Sequence, residues 1–189
     1  MARTQHLVLG ITGATGAAAA ALLIERSPWP VTLVASHWGQ RVVEHEWGPY
    51  AELSAKASRC AENDDLFDAI ASGSVETAGM AILPCSANTL AHVASGLGDT
   101  LISRAAHCHL KERRPLVLCL RESPLSRIDL ENALRVADAG GVILPMTPPF
   151  YMHGKRPSAV SLEEVLTVFV DRVLAVLGHP APSTWEDVR

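Results

Sequence analysis

HLVLGITGATGAAAAALLIERS, residues 6–27, changes its periodicity partway along. HLVLGIT is an apolar run of strand length, whereas the residues from Ala14 onward are dominated by alanine, the strongest helix former. Gly10, Gly13 and Gly16 punctuate the change. A strand that runs through a glycine turn into a helix opens a βαβ unit, and such units build parallel sheets. Outward from this stretch the alternation repeats. VTLVAS reads as a strand, the segment through WGQRVVEHEWG as a helix, and MAILP as a strand. One or two helices follow in residues 86–112, broken near Gly96 and Gly98. The strand LVLCL, the helix SRIDLENALRVADAG and the strand GVILP come next. Residues 146–159 form a proline-rich loop, and SLEEVLTVFVDRVLAVLG is the last helix, with Ser161 and Glu164 as a capping box and Gly178 as its stop. Residues 51–78 are expected to be irregular. The pattern predicts one α/β domain over residues 1–178, a mostly parallel twisted sheet with helices on both faces, and a tail at 179–189.

The chain has 189 residues, 48% hydrophobic and 19% charged, with a net charge of −4, a balance that suggests neither nucleic acid nor a membrane surface as partner. No apolar run approaches the ~18 residues of a membrane span. Cys60, Cys85, Cys108 and Cys119 show no CxxC spacing, and Cys119 falls inside an apolar strand. A reducing compartment, the cytoplasm, is the expected location.

In GITGATGA, residues 10–17, the glycines let the backbone approach a ligand, and the N–H groups of the helix start favour a phosphate, with Thr12 and Thr15 as added donors. The same glycines also serve a tight turn without a ligand. A nicotinamide dinucleotide would want an acid at the end of the second strand, about 20 residues on. Ser36 stands there instead. YMHGK, residues 151–155, has the Tyr-x-x-x-Lys spacing of a dehydrogenase pair, but the surrounding prolines exclude the helix that the pair needs. PCSANT, residues 84–89, offers Ser86 as an N-cap with Asn88 and Thr89 beside it. Cys85 is given no catalytic role, and His107-Cys108-His109 lacks metal-ligand spacing, so no metal is expected. Arg121 and Glu122 stand at the carboxyl end of LVLCL, where parallel sheets bind ligands. Arg104 and Lys111 are seven apart on one helical stripe. Arg172 falls within an apolar stripe of the last helix and would need a partner or an anion. Together the four cations could surround one anionic group.

GITGATGA, ASGS (71–74), the PCS-x-x-T run, RAAHCHLKERRPLVLCLRESP, DLENAL, GVILP and PFY together resemble the UbiX-like flavin prenyltransferases of the flavin-binding cysteine-decarboxylase superfamily, over nearly the whole chain. The resemblance implies a flavodoxin- or Rossmann-like domain assembling as a homododecamer. It implies transfer of a dimethylallyl group from its monophosphate to reduced FMN, with the prenylated flavin passing to a UbiD-type decarboxylase. By the same resemblance Gly13, Ala14 and Thr15 form the flavin turn, Ser36 is a flavin contact, Ser86, Ala87, Asn88 and Thr89 hold the FMN phosphate, and Arg121 is a further FMN contact. Glu46, Glu122 and Thr15 are the implied catalytic set, Glu46 taking the proton of the attacking flavin nitrogen and Glu122 serving the departing phosphate. Arg104, Lys111, Tyr151 and Arg172 are the implied clamp on the prenyl phosphate. Thr15 stands where the family usually has serine, Ala87-Asn88 replaces the usual pair, and the loop around GKRPS is longer. A cysteine decarboxylase and a non-enzymatic flavin carrier are the alternatives.

Overall fold

The computed structural model describes residues 5–147 and 156–180. Among them lie six strands: β1 (Leu7–Ile11), β2 (Val31–Ala35), β3 (Arg59–Glu62), β4 (Gly79–Cys85), β5 (Leu116–Leu120) and β6 (Val142–Ile143). They form one sheet in the order β3-β2-β1-β4-β5-β6, every adjacent pair parallel. This is the doubly wound order, whose direction of winding reverses between β1 and β4. The apolar runs read from the sequence are its centre: all residues of β1, β2, β4 and β5 are buried.

Seven α-helices are described: α1 (Ala17–Arg26), α2 (His37–Glu46), α3 (Tyr50–Lys56), α4 (Ala87–Ala94), α5 (Leu101–Lys111), α6 (Arg127–Asp138) and α7 (Leu162–Val176). One core lies under α1 and α7, built on Leu7, Leu9, Leu33 and Leu83 with Val170 and Val173. The other lies under α4, α5 and α6, built on Val8, Met80, Ile82 and Leu118 with Leu90, Ile102 and Val136. Alternate residues of the four central strands feed opposite cores, as the two-residue period requires.

The expected caps of α7 are present. Glu164 N–H donates to Ser161 Oγ, Ser161 N–H donates to Glu164, and the chain leaves the helix through Gly178 at φ +99°, with His179 N–H donating to the Leu174 carbonyl. Residues 51–78 differ from expectation, since all but the first residue of α3 and the whole of β3 lie within them. β3 is an edge strand of four mostly exposed residues, Arg-Cys-Ala-Glu, so it has no apolar face to betray it. α3 buries only Leu53. The YMHGK stretch, most of the proline-rich loop and residues 181–189 of the expected tail lie outside the described residues.

Candidate flavin site at the switch point

The carboxyl ends of β1 and β4 are tied together by one side chain. Thr12, almost fully buried, donates its hydroxyl to the Pro84 carbonyl (2.9 Å) and accepts the Ser86 N–H (2.9 Å). Its hydroxyl is therefore committed to the protein and is not the ligand donor that the sequence suggested. From this tie the chain diverges into the glycine turn on one side and α4 on the other.

The glycine turn also departs from expectation. The first N–H groups of α1, those of Gly16 and Ala17, both donate to Glu46 Oε2, at 2.7 and 3.0 Å. Gly16 has φ +121°, a conformation that favours glycine. The helix start read as a phosphate cradle thus holds a carboxylate supplied thirty residues away by the end of α2. Both bonds fall on the same oxygen, so Oε1 has no protein partner among the described residues. Glu46 is brought there because α2 begins hard against β1: a Cβ on Gly39 would lie 2.3 Å from the Ile11 carbonyl oxygen. Ser36 caps that start by accepting the Gly39 N–H at 3.0 Å.

The other helix start keeps the features of an anion site. Ser86 Oγ accepts the Thr89 N–H (3.3 Å) and pairs with the Thr89 hydroxyl (3.1 Å) at the amino end of α4. Here a cavity of about 450 Å³ opens, lined by Thr12, Gly13, Ser36, Trp38, Asn63, Ser86, Asn88, Thr89, His92, Thr100, Ile102 and Ser103. Its size lies within the ~300–1,000 Å³ of small-molecule sites. Of the residues singled out in the sequence, Gly13, Ser36, Ser86, Asn88 and Thr89 share this lining. Asn63, Trp38 and His92 were not anticipated. Asn63 follows the unread strand β3 and caps α5, accepting the Ile102 N–H on its amide oxygen. Trp38 is exposed and His92 lies on α4 with Asn88 and Thr89, a spacing that could have flagged it.

A second cavity, about 190 Å³, lies across the glycine turn. Thr15, Gly16 and Arg121 line it together with apolar Met146, Leu162, Val165, Leu166 and Phe169. Arg121 is fixed at the carboxyl end of β5 by its N–H bond to the Cys85 carbonyl (3.0 Å), and the next residue, Glu122, is exposed. Burial pushes the Cys85 thiol far up, so it is no nucleophile.

Among the described residues none of the remaining cations lines either of these cavities. Arg104 donates its Nε–H to the Ala71 carbonyl (3.0 Å). Lys111 ends α5, paired with Glu112 and packed beside Gly73. Seven helical residues, roughly 10 Å, separate the two. Lys111 also precedes β5, whereas Arg121 follows it, so about 16 Å of strand lies between them. Arg172 is exposed, beside Asp171, which is paired with Arg26 at the far end of α1. The apolar stripe of α7 passes it by, and it needs no buried partner. Tyr151 lies outside the described residues.

Against known proteins, residues 1–173 match the Flavoprotein family. A flavin prenyltransferase UbiX of Deinococcus radiodurans is 45% identical over 94% of this chain and 90% of its own length. A probable UbiX-like flavin prenyltransferase of Bacillus subtilis is 41% identical over 93% of this chain and 86% of its own. The crystal structure of AnUbiX in complex with FMN and dimethylallyl pyrophosphate superposes with a TM-score of 0.90 at 38% identity, covering 97% of this chain and 98% of that one. A dodecameric FMN-dependent UbiX-like decarboxylase from Escherichia coli O157:H7 gives 0.87 at 36% identity, covering 95% and 98%.

Proposed function

Because the chain belongs to the Flavoprotein family and, within it, to the UbiX-like flavin prenyltransferases, we propose that it transfers a dimethylallyl group from a phosphate ester to reduced FMN, making prenylated FMN for a UbiD-type decarboxylase. The observation that carries this reading is the pair of cavities flanking one glycine turn: a polar one that suits FMN, and an apolar one, edged by Arg121, that suits a short prenyl group.

FMN fits the first cavity on this structure's own terms. The amino end of α4 presents backbone N–H groups, the Ser86 and Thr89 hydroxyls and the Asn88 amide to a phosphate, and Trp38 offers an aromatic surface to a ring. When bound and reduced, the flavin supplies the electron-rich ring on which the prenyl group is accepted. Arg121 places fixed positive charge where the ester's phosphate builds negative charge, and needs no metal to do so. Glu122, the exposed residue next in the chain, is the group that gives a proton to the departing phosphate. Glu46 holds the glycine turn with Oε2 while Oε1 is available to take a proton.

Lys111 joins the clamp from a neighbouring copy, since β5 separates it from Arg121 within one chain, and Arg172 joins it from α7, one turn beyond the cavity-lining Phe169. Exposed Leu125, Ile128, Leu130 and Leu134 on and before α6 supply apolar surface for such an assembly, a homo-oligomer like the dodecameric relative. Among the described residues no helix is long and apolar enough to cross a membrane. With four free cysteines, three of them buried, the cytoplasm is the proposed location.

Anaerobic incubation with reduced FMN and dimethylallyl monophosphate, then pyrophosphate, followed by mass spectrometry of the extracted flavin, tests this. A gain of one five-carbon unit, lost in Glu122→Gln, is expected. Bound FMN without mass gain from either ester would overturn it in favour of a flavin carrier.

A further inference from the structure

The phosphate end of the larger cavity contains no lysine or arginine among its described lining residues. Hydroxyls, an amide and the start of α4 would face a phosphate there, and a phosphate ester carries close to two negative charges at neutral pH. Among the described lining residues the one ionisable side chain is His92. It lies four residues after Asn88 and three after Thr89, hence on their face of α4, and helical side chains lean towards the amino terminus. Its Nδ1 is held by Asp99 Oδ1 at 3.1 Å. A carboxylate can only accept, so Nδ1 carries the proton of that bond. Nε2 is left with no protein partner among the described residues.

An imidazole with its hydrogen on Nδ1 would present a lone pair to a phosphate from Nε2, which repels. Protonation of Nε2 turns the ring into an imidazolium lying between two anions, Asp99 on one side and the phosphate on the other. The nearby charges do not substitute for it. On α5, Arg104 is committed to the Ala71 carbonyl and packs its chain against Gly98. On α6, which packs against α4, Arg127 pairs with Glu131, and Asp129 closes its own helix cap.

Building on the FMN reading above, we propose that the Asp99–His92 pair is the charged arm of the phosphate site: it takes up one proton as FMN binds, and so selects FMN over the phosphate-free flavin, riboflavin. Asp99 acts as a positioning residue, fixing which nitrogen meets the ligand, and His92 is the contact.

The test is calorimetric titration of the full-length protein with FMN and with riboflavin, each in two buffers of different ionisation enthalpy at the same pH. The wild type is expected to bind FMN with net proton uptake and riboflavin with none. His92→Ala should weaken FMN about tenfold, abolish the uptake and leave riboflavin unchanged. His92→Lys, carrying its own charge, should restore the FMN preference without the uptake. Equal weakening of both flavins in His92→Ala, or unchanged FMN affinity and uptake, would overturn the inference and leave the FMN site standing. A wild type that binds neither flavin would overturn the reading on which it rests.

Discussion

Replacing Glu46 by alanine separates its structural work from its chemistry. Two backbone N–H groups, Gly16 at 2.7 Å and Ala17 at 3.0 Å, lose a shared carboxylate. A hydrogen bond to a charged group contributes about 1.5–3 kcal/mol, and a negative charge at a helix start adds about 0.3–1 kcal/mol. Glu46 is exposed, however, so water can replace much of both. The net loss should be about 1–2 kcal/mol. At roughly 2–4 °C per kcal/mol for a chain of this size, that is a fall in melting temperature of roughly 2–8 °C. Glu46→Gln keeps an acceptor oxygen and should lose less than half as much. The vacated helix start should also become an anion site. Added sulfate should stabilise Glu46→Ala more than the wild type, with chloride at matched ionic strength as control. Thermal unfolding followed by circular dichroism reads all three. An alanine variant that melts with the wild type and gains nothing extra from sulfate would refute the claim that the carboxylate holds the turn.

Gly39→Ala would put a methyl 2.3 Å from a backbone oxygen and force α2 off β1, so its urea midpoint should fall by several kcal/mol equivalent, and retained stability would contradict the packing. Thr12→Val leaves the Pro84 carbonyl and the Ser86 N–H without their shared partner, at a cost of about 1–3 kcal/mol, and should weaken FMN by displacing α4; unchanged affinity would count against the tie. His109 is buried, donating from Nδ1 to the Ala105 carbonyl and accepting at Nε2 from Thr77, and burial holds its pKa down at about 4. Its folded pKa lies below the ordinary 6.5, so between those values the unfolded chain binds a proton that the folded chain refuses. Stability should therefore be intact above about pH 6.5 and fall by roughly 3 kcal/mol as the pH drops to 4, a slope that unfolding titrations should find reduced in His109→Gln.

How much of this was legible in the sequence depended on where each feature stores its signal. The four central strands are buried on both faces, so their apolar runs declared them, and the caps of α7 lie within a few residues of one another. β3 is neither buried nor apolar, and with it the position of Asn63 at a strand's carboxyl end went unread. GITGATGA announces a helix start with open N–H groups but cannot say that Glu46 fills them, because that contact depends on how closely α2 approaches β1. The placement of the four cations was hidden for a related reason. A spacing of seven places Arg104 and Lys111 on one stripe, yet a helix also travels along its axis, and that travel takes Lys111 to the opposite end of the sheet from Arg121. Arg172 neighbours apolar residues in sequence at helical spacing, but the exposed side of α7 runs through it.

The Thr12 hydroxyl has one further consequence. A single oxygen is shared by the two pieces of chain that would face the two halves of the flavin, although 72 positions separate them in sequence. Chimaeras that join the first third of one homologue to the remainder of another cut across that bond. They should inherit a recognition site only when both parents supply the matching geometry, so in recombination the glycine turn and the α4 cradle will behave as one heritable unit.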